Sequence, residues 1–190
     1  ALAVHPALTA TVVAGGGDYP DQAMLLRSAD AGITWEEVFT YTVPGGYPTV
    51  NAVAILPFTP SVWLLAHDGP VGADYASFIW RSTDSGDSWT QVYTLTRAGV
   101  DRLVTDPVTP AVVYAGTVEH NLYRSGDGGL TWAAVITDGS AGQCLVADAP
   151  HTLYATRGGE VRTSSDGGDT WTTAGFIPDG VRTLAIDRGA

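Results

Sequence analysis

One phrase occurs four times in this chain: RSADAGITW (27–35), RSTDSGDSW (81–89), RSGDGGLTW (124–132) and TSSDGGDTW (163–171). The shared pattern is Ser-x-Asp-x-Gly-x-(Thr/Ser)-Trp, and its aspartates stand 54, 43 and 39 residues apart. A repeat of that length means that each unit is one supersecondary element whose apolar faces are buried by its neighbours, and a period of ~40 to 45 residues suits four strands per unit. A reaction needs a given acid once or twice. An acid that returns at the same offset in every unit belongs to the construction of the unit.

Each unit divides into four apolar runs rich in the β-branched and aromatic residues that strands favour. The first runs are LAVHP (2–6), VAILP (53–57), LVTDP (103–107) and LVADAP (145–150), and the second are TVVAGG, VWLLAHDG, VVYAGTVE and TLYATRGG. A third run leads into the motif and a fourth leaves it through TWEEVFTY, SWTQVYTL, TWAAVIT and TWTTAGF. The motif therefore lies where the chain reverses. Gly32, Gly86, Gly129 and Gly168 give that reversal backbone freedom, and Asp30, Asp84, Asp127 and Asp166 are placed to accept hydrogen bonds from their own turns. Ser28, Ser82, Ser125 and Ser164 close further local bonds, while Trp35, Trp89, Trp132 and Trp171 pack on adjacent strands. The expected class is all-β, made of four-stranded antiparallel sheets.

With four copies in register, the motif resembles the Asp box, or bacterial neuraminidase repeat, of β-propellers. The resemblance covers essentially the whole chain, whose intervening strands are similar to those of xyloglucanase-like and sortilin-like propellers. Departures are small: Ser88 replaces threonine in the second copy, and Thr163 replaces arginine ahead of the fourth. The resemblance implies a radial array of blades with the Asp boxes on the rim, away from any active site. VRTLAID (181–187) reads as the first strand of a fifth blade. The chain is thus expected to be one segment, 1–190, of a larger propeller, with repeats at 1–51, 52–101, 102–143 and 144–182 and then a partial repeat. Remaining blades or a neighbouring subunit would cover its open edges.

Composition narrows the partners. The formal charge is -11, and all nine basic residues are arginine. Such a surface repels phosphate backbones, so nucleic acid is not an expected partner. No apolar segment approaches the ~20 residues that span a bilayer, which argues against membrane insertion. The opening ALAVHPALTATVVAGG reads as strand, turn, strand and not as a signal peptide; an extracellular or cell-surface location is expected. Cys144 is the single cysteine, which excludes an internal disulfide and reads as a buried, inert thiol. His5, His67, His120 and His151 have no metal spacing and are expected in turns or loops. AGGGDYP lacks the lysine and helix of a phosphate loop. No metal and no cofactor are expected.

Binding belongs on the face opposite the motif, where the connections after second and fourth strands are long: 15–22, 67–77, 40–51 and 96–102. Aromatic and acidic residues gather there. Asp18, Tyr19, Asp21, Tyr47 and Tyr75, with Arg102 and Arg182, are candidate ligand contacts, because sugar rings stack on apolar rings while their hydroxyls bond to acids. Asp68 and Asp74 are the catalytic candidates: paired with Asp18 or Asp21 across a cleft, they would suit an inverting glycosidase, whose carboxyls stand ~6.5 to 9.5 Å apart. A sialidase would need three arginines and a tyrosine with an acidic partner. Arg27, Arg81 and Arg124 lie at the motifs, on the wrong face, and Arg97, Arg102, Arg157 and Arg182 have no glutamate or tyrosine tied to them by a motif. The favoured expectation is a non-catalytic scaffold or recognition module for protein or glycan. The alternative is a segment of a glycoside hydrolase, xyloglucanase-like ahead of sialidase.

Overall fold

The computed structural model describes residues 1–72, 74–142, 145–148, 150–178 and 184–185. Among them the chain forms four sheets of four strands each, every one an antiparallel meander in chain order. The first holds β1 (Leu2–Val4), β2 (Val12–Asp18), β3 (Gln22–Ser28) and β4 (Glu36–Thr42), and the second β5 (Thr49–Ile55), β6 (Trp63–Val71), β7 (Asp74–Ser82) and β8 (Thr90–Thr96). The third holds β9 (Val100–Thr105), β10 (Val113–Thr117), β11 (Leu122–Ser125) and β12 (Ala133–Ile136), and the fourth β13 (Leu145–Ala147), β14 (Leu153–Arg157), β15 (Glu160–Ser164) and β16 (Thr172–Phe176). The four first strands face a common axis, where Val4, Ile55, Thr105 and Ala147 line a space of about 430 Å³. These are β-propeller blades. Of the fifth first strand expected at 181–187, only Leu184 and Ala185 are described and they form no strand; Arg182 and Cys144 lie outside the described residues.

The core is a set of seams between blades. Alternating side chains of a strand point to opposite faces, so in β6 Trp63 and Leu65 pack toward the first blade beside Val13, Leu25 and Phe39. Leu64 and Ala66 pack toward the third, beside Val100, Val113 and Trp132. The third seam joins Tyr114 and Leu122 to Leu145 and Leu153. Strands buried on both faces read as unbroken apolar runs. The glycines of β2 serve the same packing: a Cβ on Gly15 would stand 2.5 Å from Val50 Cγ1, and one on Gly17 2.6 Å from the Pro48 carbonyl oxygen.

The motif turn is a closed hydrogen-bond system. In the second blade the Ser82 hydroxyl donates to Asp84 Oδ1 at 2.7 Å and accepts from the Gly86 amide at 2.9 Å. Asp84 also accepts from the Ser88 amide (2.9 Å) and hydroxyl (2.6 Å), and Trp89 Nε1 donates to the Gly86 carbonyl at 3.0 Å. Asp30, Asp127 and Asp166 each hold the same set of bonds. Hydrogen bonds from the Thr34, Ser88 and Thr170 hydroxyls, with those of the paired serines and backbone amides, hold Asp30, Asp84 and Asp166 down at about 2. These acids stay ionised and occupied.

The arginine heading each of the first three motifs reaches the motif turn of the following blade. Arg27 donates to the Ser85 carbonyl at 2.7 Å and to Asp87 at 2.9 Å, and Arg81 Nε donates to the Gly128 carbonyl at 2.9 Å. Arg124 lies 3.4 Å from the Asp166 and Gly167 carbonyl oxygens. Arg81 is half-buried, and a hydrogen bond from a charged donor contributes about 2 kcal/mol. Arg81→Ala is therefore expected to cost about that much, read as a lowered melting temperature that Arg81→Lys does not fully restore, because lysine lacks the planar fork.

Three readings of the sequence are corrected. Of the stretch 67–77, read as loop, residues 67–71 and 74–77 are strand and belong to the outer half of the β6–β7 hairpin, with Asp68 opposite Ser77 and Val71 opposite Asp74. Pro70 is tolerated because β5 stops pairing at Asp68, so the proline breaks no ladder on that side. The connection read at 40–51 is shortened by β4, which runs to Thr42, and by β5, which starts at Thr49; likewise β9 starts at Val100. His67, expected in a loop, is wholly buried in β6, where blade-one aromatics cover it from across the seam.

Candidate functional site at the seam of the second and third blades

The face opposite the motif turns carries a polar cluster built by two β-bulges. In β5 the pairing slips between Val50 and Ala52, and in β9 it slips opposite Gly116 and Thr117. The residues left out of register are Asn51 and Asp101, at equivalent places in consecutive blades. A bulge re-aims the side chain it carries, and both line a cavity of about 220 Å³ with Arg102, beside Ala1 and Leu2.

Asp68 is the centre of the cluster. Asn51 Nδ2 donates to its Oδ2 at 2.6 Å, and the Ser77 hydroxyl donates to its Oδ1. Ser77 in turn accepts from the Val100 amide at 2.7 Å, which ties the acid to the third blade. Glu119, from the β10–β11 turn, crosses back: it accepts from the Tyr75 hydroxyl at 2.5 Å and from the Gly99 amide at 3.1 Å and 3.3 Å. Burial raises the Asp68 carboxyl above the ordinary range, and the charges of Glu119 and Asp101 add to that against the bonds from Ser77 and Asn51. Burial likewise raises Asp101, opposed by Arg102, whose guanidinium stands 3.6 Å from Asp101 Oδ2. The bond to Glu119 pushes the Tyr75 hydroxyl up to about 12. Asp101 Oδ1 and His120 Nδ1 are buried without a hydrogen-bond partner among the described residues. This is a half-buried carboxyl that retains its proton to higher pH than a surface acid, flanked by two more carboxyls.

The two catalytic candidates separate. Asp68 sits in the cluster, whereas Asp74 is at the hairpin tip in an exposed ion pair with Arg97 at 2.9 Å. Asp18 and Asp21 belong to the first blade, Asp18 closing β2 and Asp21 accepting from the Gly45 amide at 2.7 Å. Tyr19 and Tyr47 meet each other, ring centroids 5.1 Å apart. Tyr41 stacks on His67 at 4.3 Å and belongs to the buried aromatic group. The pairing of Tyr75 with Glu119 escaped the sequence reading, since 44 residues separate them. Asn51 and Asp101 escaped it too, although each follows a valine at the head of a first strand, in VNAVAI and VDRLVT; that shared polar interruption was the available signal.

No protein-family model matches the chain. It is 30% identical over 141 residues, 61% of this chain, to the xyloglucanase Xgh74A of Acetivibrio thermocellus, and 30% identical over 189 residues, 95% of this chain, to a xyloglucanase of a Paenibacillus species. The chain spans 16% of the length of each of these relatives. Among solved structures it is similar to the GH74 enzyme of Niastella koreensis, with a TM-score of 0.65 and 24% identity over 91% of this chain and 29% of that one. Sequence relatives and solved structure agree with the four meanders around one axis: the chain is made of β-propeller blades.

Proposed function

We propose that the seam between the second and third blades binds a neutral glycan and that Asp68 donates the proton in cleavage of a glycosidic bond, in an extracytoplasmic protein of glycoside-hydrolase type. The observation that carries this is Asp68 itself, half-buried on the face opposite the motif turns and held between Asn51 and Ser77 beside Glu119 and Asp101. A general acid must keep its proton near the working pH and sit within hydrogen-bond reach of the leaving oxygen. Burial and neighbouring carboxylates are what set that in glycosidases. Asp68 would protonate the leaving oxygen while water attacks the anomeric carbon. Asp101, whose Oδ1 has no hydrogen-bond partner among the described residues, would take the water's proton.

Neutrality of the ligand follows from the local charges. Asp68, Asp101 and Glu119 outnumber Arg102, and Arg97 is engaged by Asp74, so an anionic sugar finds no arginine cluster to grip its carboxylate. The relatives named as xyloglucanases support the reading, and a polymeric substrate is met outside the cell.

Release of reducing ends from cello- and xyloglucan oligosaccharides, with calorimetric binding alongside, tests it. Asp68→Asn is expected to lower hydrolysis by ~10²-fold or more, as loss of a general acid does, and to change affinity only a few-fold. Binding without hydrolysis by the unmodified protein would favour a non-catalytic recognition module instead. Absence of binding would overturn the glycan reading altogether.

A further inference from the structure

We infer that Tyr19 and Tyr47 form a second sugar-binding subsite, a stacking platform for a pyranose ring of the same chain that reaches Asp68; this deepens the glycan reading and rests on it. Tyr19 stands at the β2–β3 turn and Tyr47 in the β4–β5 connection, both on the face opposite the motif turns. Their rings lie 5.1 Å apart at 43°, yet they are 81% and 59% exposed. Two large aromatic rings held together and left in water form a patch that asks for a ligand.

The backbone beneath the rings is fixed. The Tyr47 amide donates to the Pro20 carbonyl at 2.9 Å, and the Val43 amide to the Asp21 carbonyl at 2.8 Å. Asp21 Oδ1 receives the Gly45 amide. Tyr47 itself has φ of 52°, a left-handed conformation that disfavours a bulky residue. Strain of this kind persists where surrounding bonds over-determine it, and it is concentrated at binding sites. The platform is therefore organised before any ligand arrives, which removes an entropic cost of binding.

Chemistry selects the occupant. The same turn carries Asp18 and Asp21, which disfavour anions, and the phenol rings offer an apolar face with a polar edge. A pyranose whose hydroxyls are all equatorial presents C–H groups on both faces and matches such a surface. The platform is also in reach of the acid: Gly46 packs toward Pro70 of β6, and Thr49, two residues beyond Tyr47, is the ladder partner of Asp68. Two residues of chain reach at most about 7 Å, so a short oligosaccharide can touch both.

Titration with cello-oligosaccharides from the dimer to the hexamer, followed by calorimetry on the intact protein, decides it. Affinity should rise with length until the chain covers both places, and the Tyr19→Ala, Tyr47→Ala double variant should bind the longer oligomers about tenfold more weakly. Tyr19→Ala alone, at an exposed position, should give part of that loss with an unchanged melting temperature. Asp68→Asn should keep the length-dependent gain. Full affinity for the hexamer in the double variant would overturn the platform and leave the Asp68 reading standing. Saturable binding of a proline-rich peptide, with no sugar bound, would overturn both.

Discussion

Gly129→Ala is expected to destabilise the protein by about 4 kcal/mol, while the same change at Gly32 costs only about 1 to 2 kcal/mol. The four motif glycines share one backbone conformation, with φ of 92° at Gly32, 93° at Gly86, 86° at Gly129 and 95° at Gly168. A side chain there is strained whatever surrounds it. The residue before each of them is also left-handed but is Ala31 in the first copy and Ser85 in the second, both at φ 60°; that milder angle admits a Cβ. What differs between copies is the neighbour. A Cβ on Gly129 would come within 2.5 Å of Leu64, a fully buried side chain of the preceding blade, and one on Gly168 within 2.3 Å of Leu122. On Gly32 it would meet only Trp35, at an ordinary 3.6 Å. Overpacking adds about 1 to 3 kcal/mol to the backbone term. Thermal or urea unfolding of the two variants measures the difference; equal losses would mean that the blades do not interlock through their motif turns.

Acid should unfold the wild type more readily than His67→Phe. His67 is wholly buried among Phe39, Tyr41, Phe78 and Trp80, with ring centroids 4.3 to 6.2 Å away. Burial in these apolar surroundings lowers it to about 4, against the bond its Nδ1 makes with the Asp68 carbonyl. The unfolded chain takes up this proton near pH 6.5, whereas the folded chain refuses it until about pH 4. Stability from this residue is therefore complete above pH 6.5, falls as the pH drops toward 4, and is constant below that. The loss is about 3 kcal/mol. Phenylalanine has no such proton, so the stability difference between the two proteins should change by that amount between pH 7 and 4. A pH-independent difference would show that the histidine is solvated.

Much of this was legible before any coordinates. The recurring serine, aspartate and glycine pointed to a closed turn because their spacing was constant, and local hydrogen bonds depend only on residues within a few positions of one another. The runs of valine, isoleucine and tyrosine gave four strands per unit for the same reason. Burial across a seam was not legible. His67 is flanked in sequence by Ala66 and Asp68, and nothing near it announces Phe39 or Tyr41 from another blade. HDGPVGADY reads as a loop by composition, yet residues 67–71 and 74–75 of it are strand, because the hairpin beyond β5 has one free edge on which proline is harmless. The site suffered most: Asp68 could be named as a candidate from its position, but its partners come from four other segments, at Asn51, Ser77, Asp101 and Glu119. Bulges and contacts between distant segments assembled them, and neither has a signature in a single sequence.

The motif aspartates are held in their turns, whereas Asp68 and Asp101 are the ones proposed for chemistry, and a carboxyl titration by carbon-13 NMR addresses that division at each residue. Asp30, Asp84 and Asp166 should titrate near 2, under the hydrogen bonds of their own motifs, while Asp68 should titrate above the ordinary aspartate value of 3.8. An Asp68 that loses its proton at or below that value, or motif aspartates that titrate above it, would contradict the account.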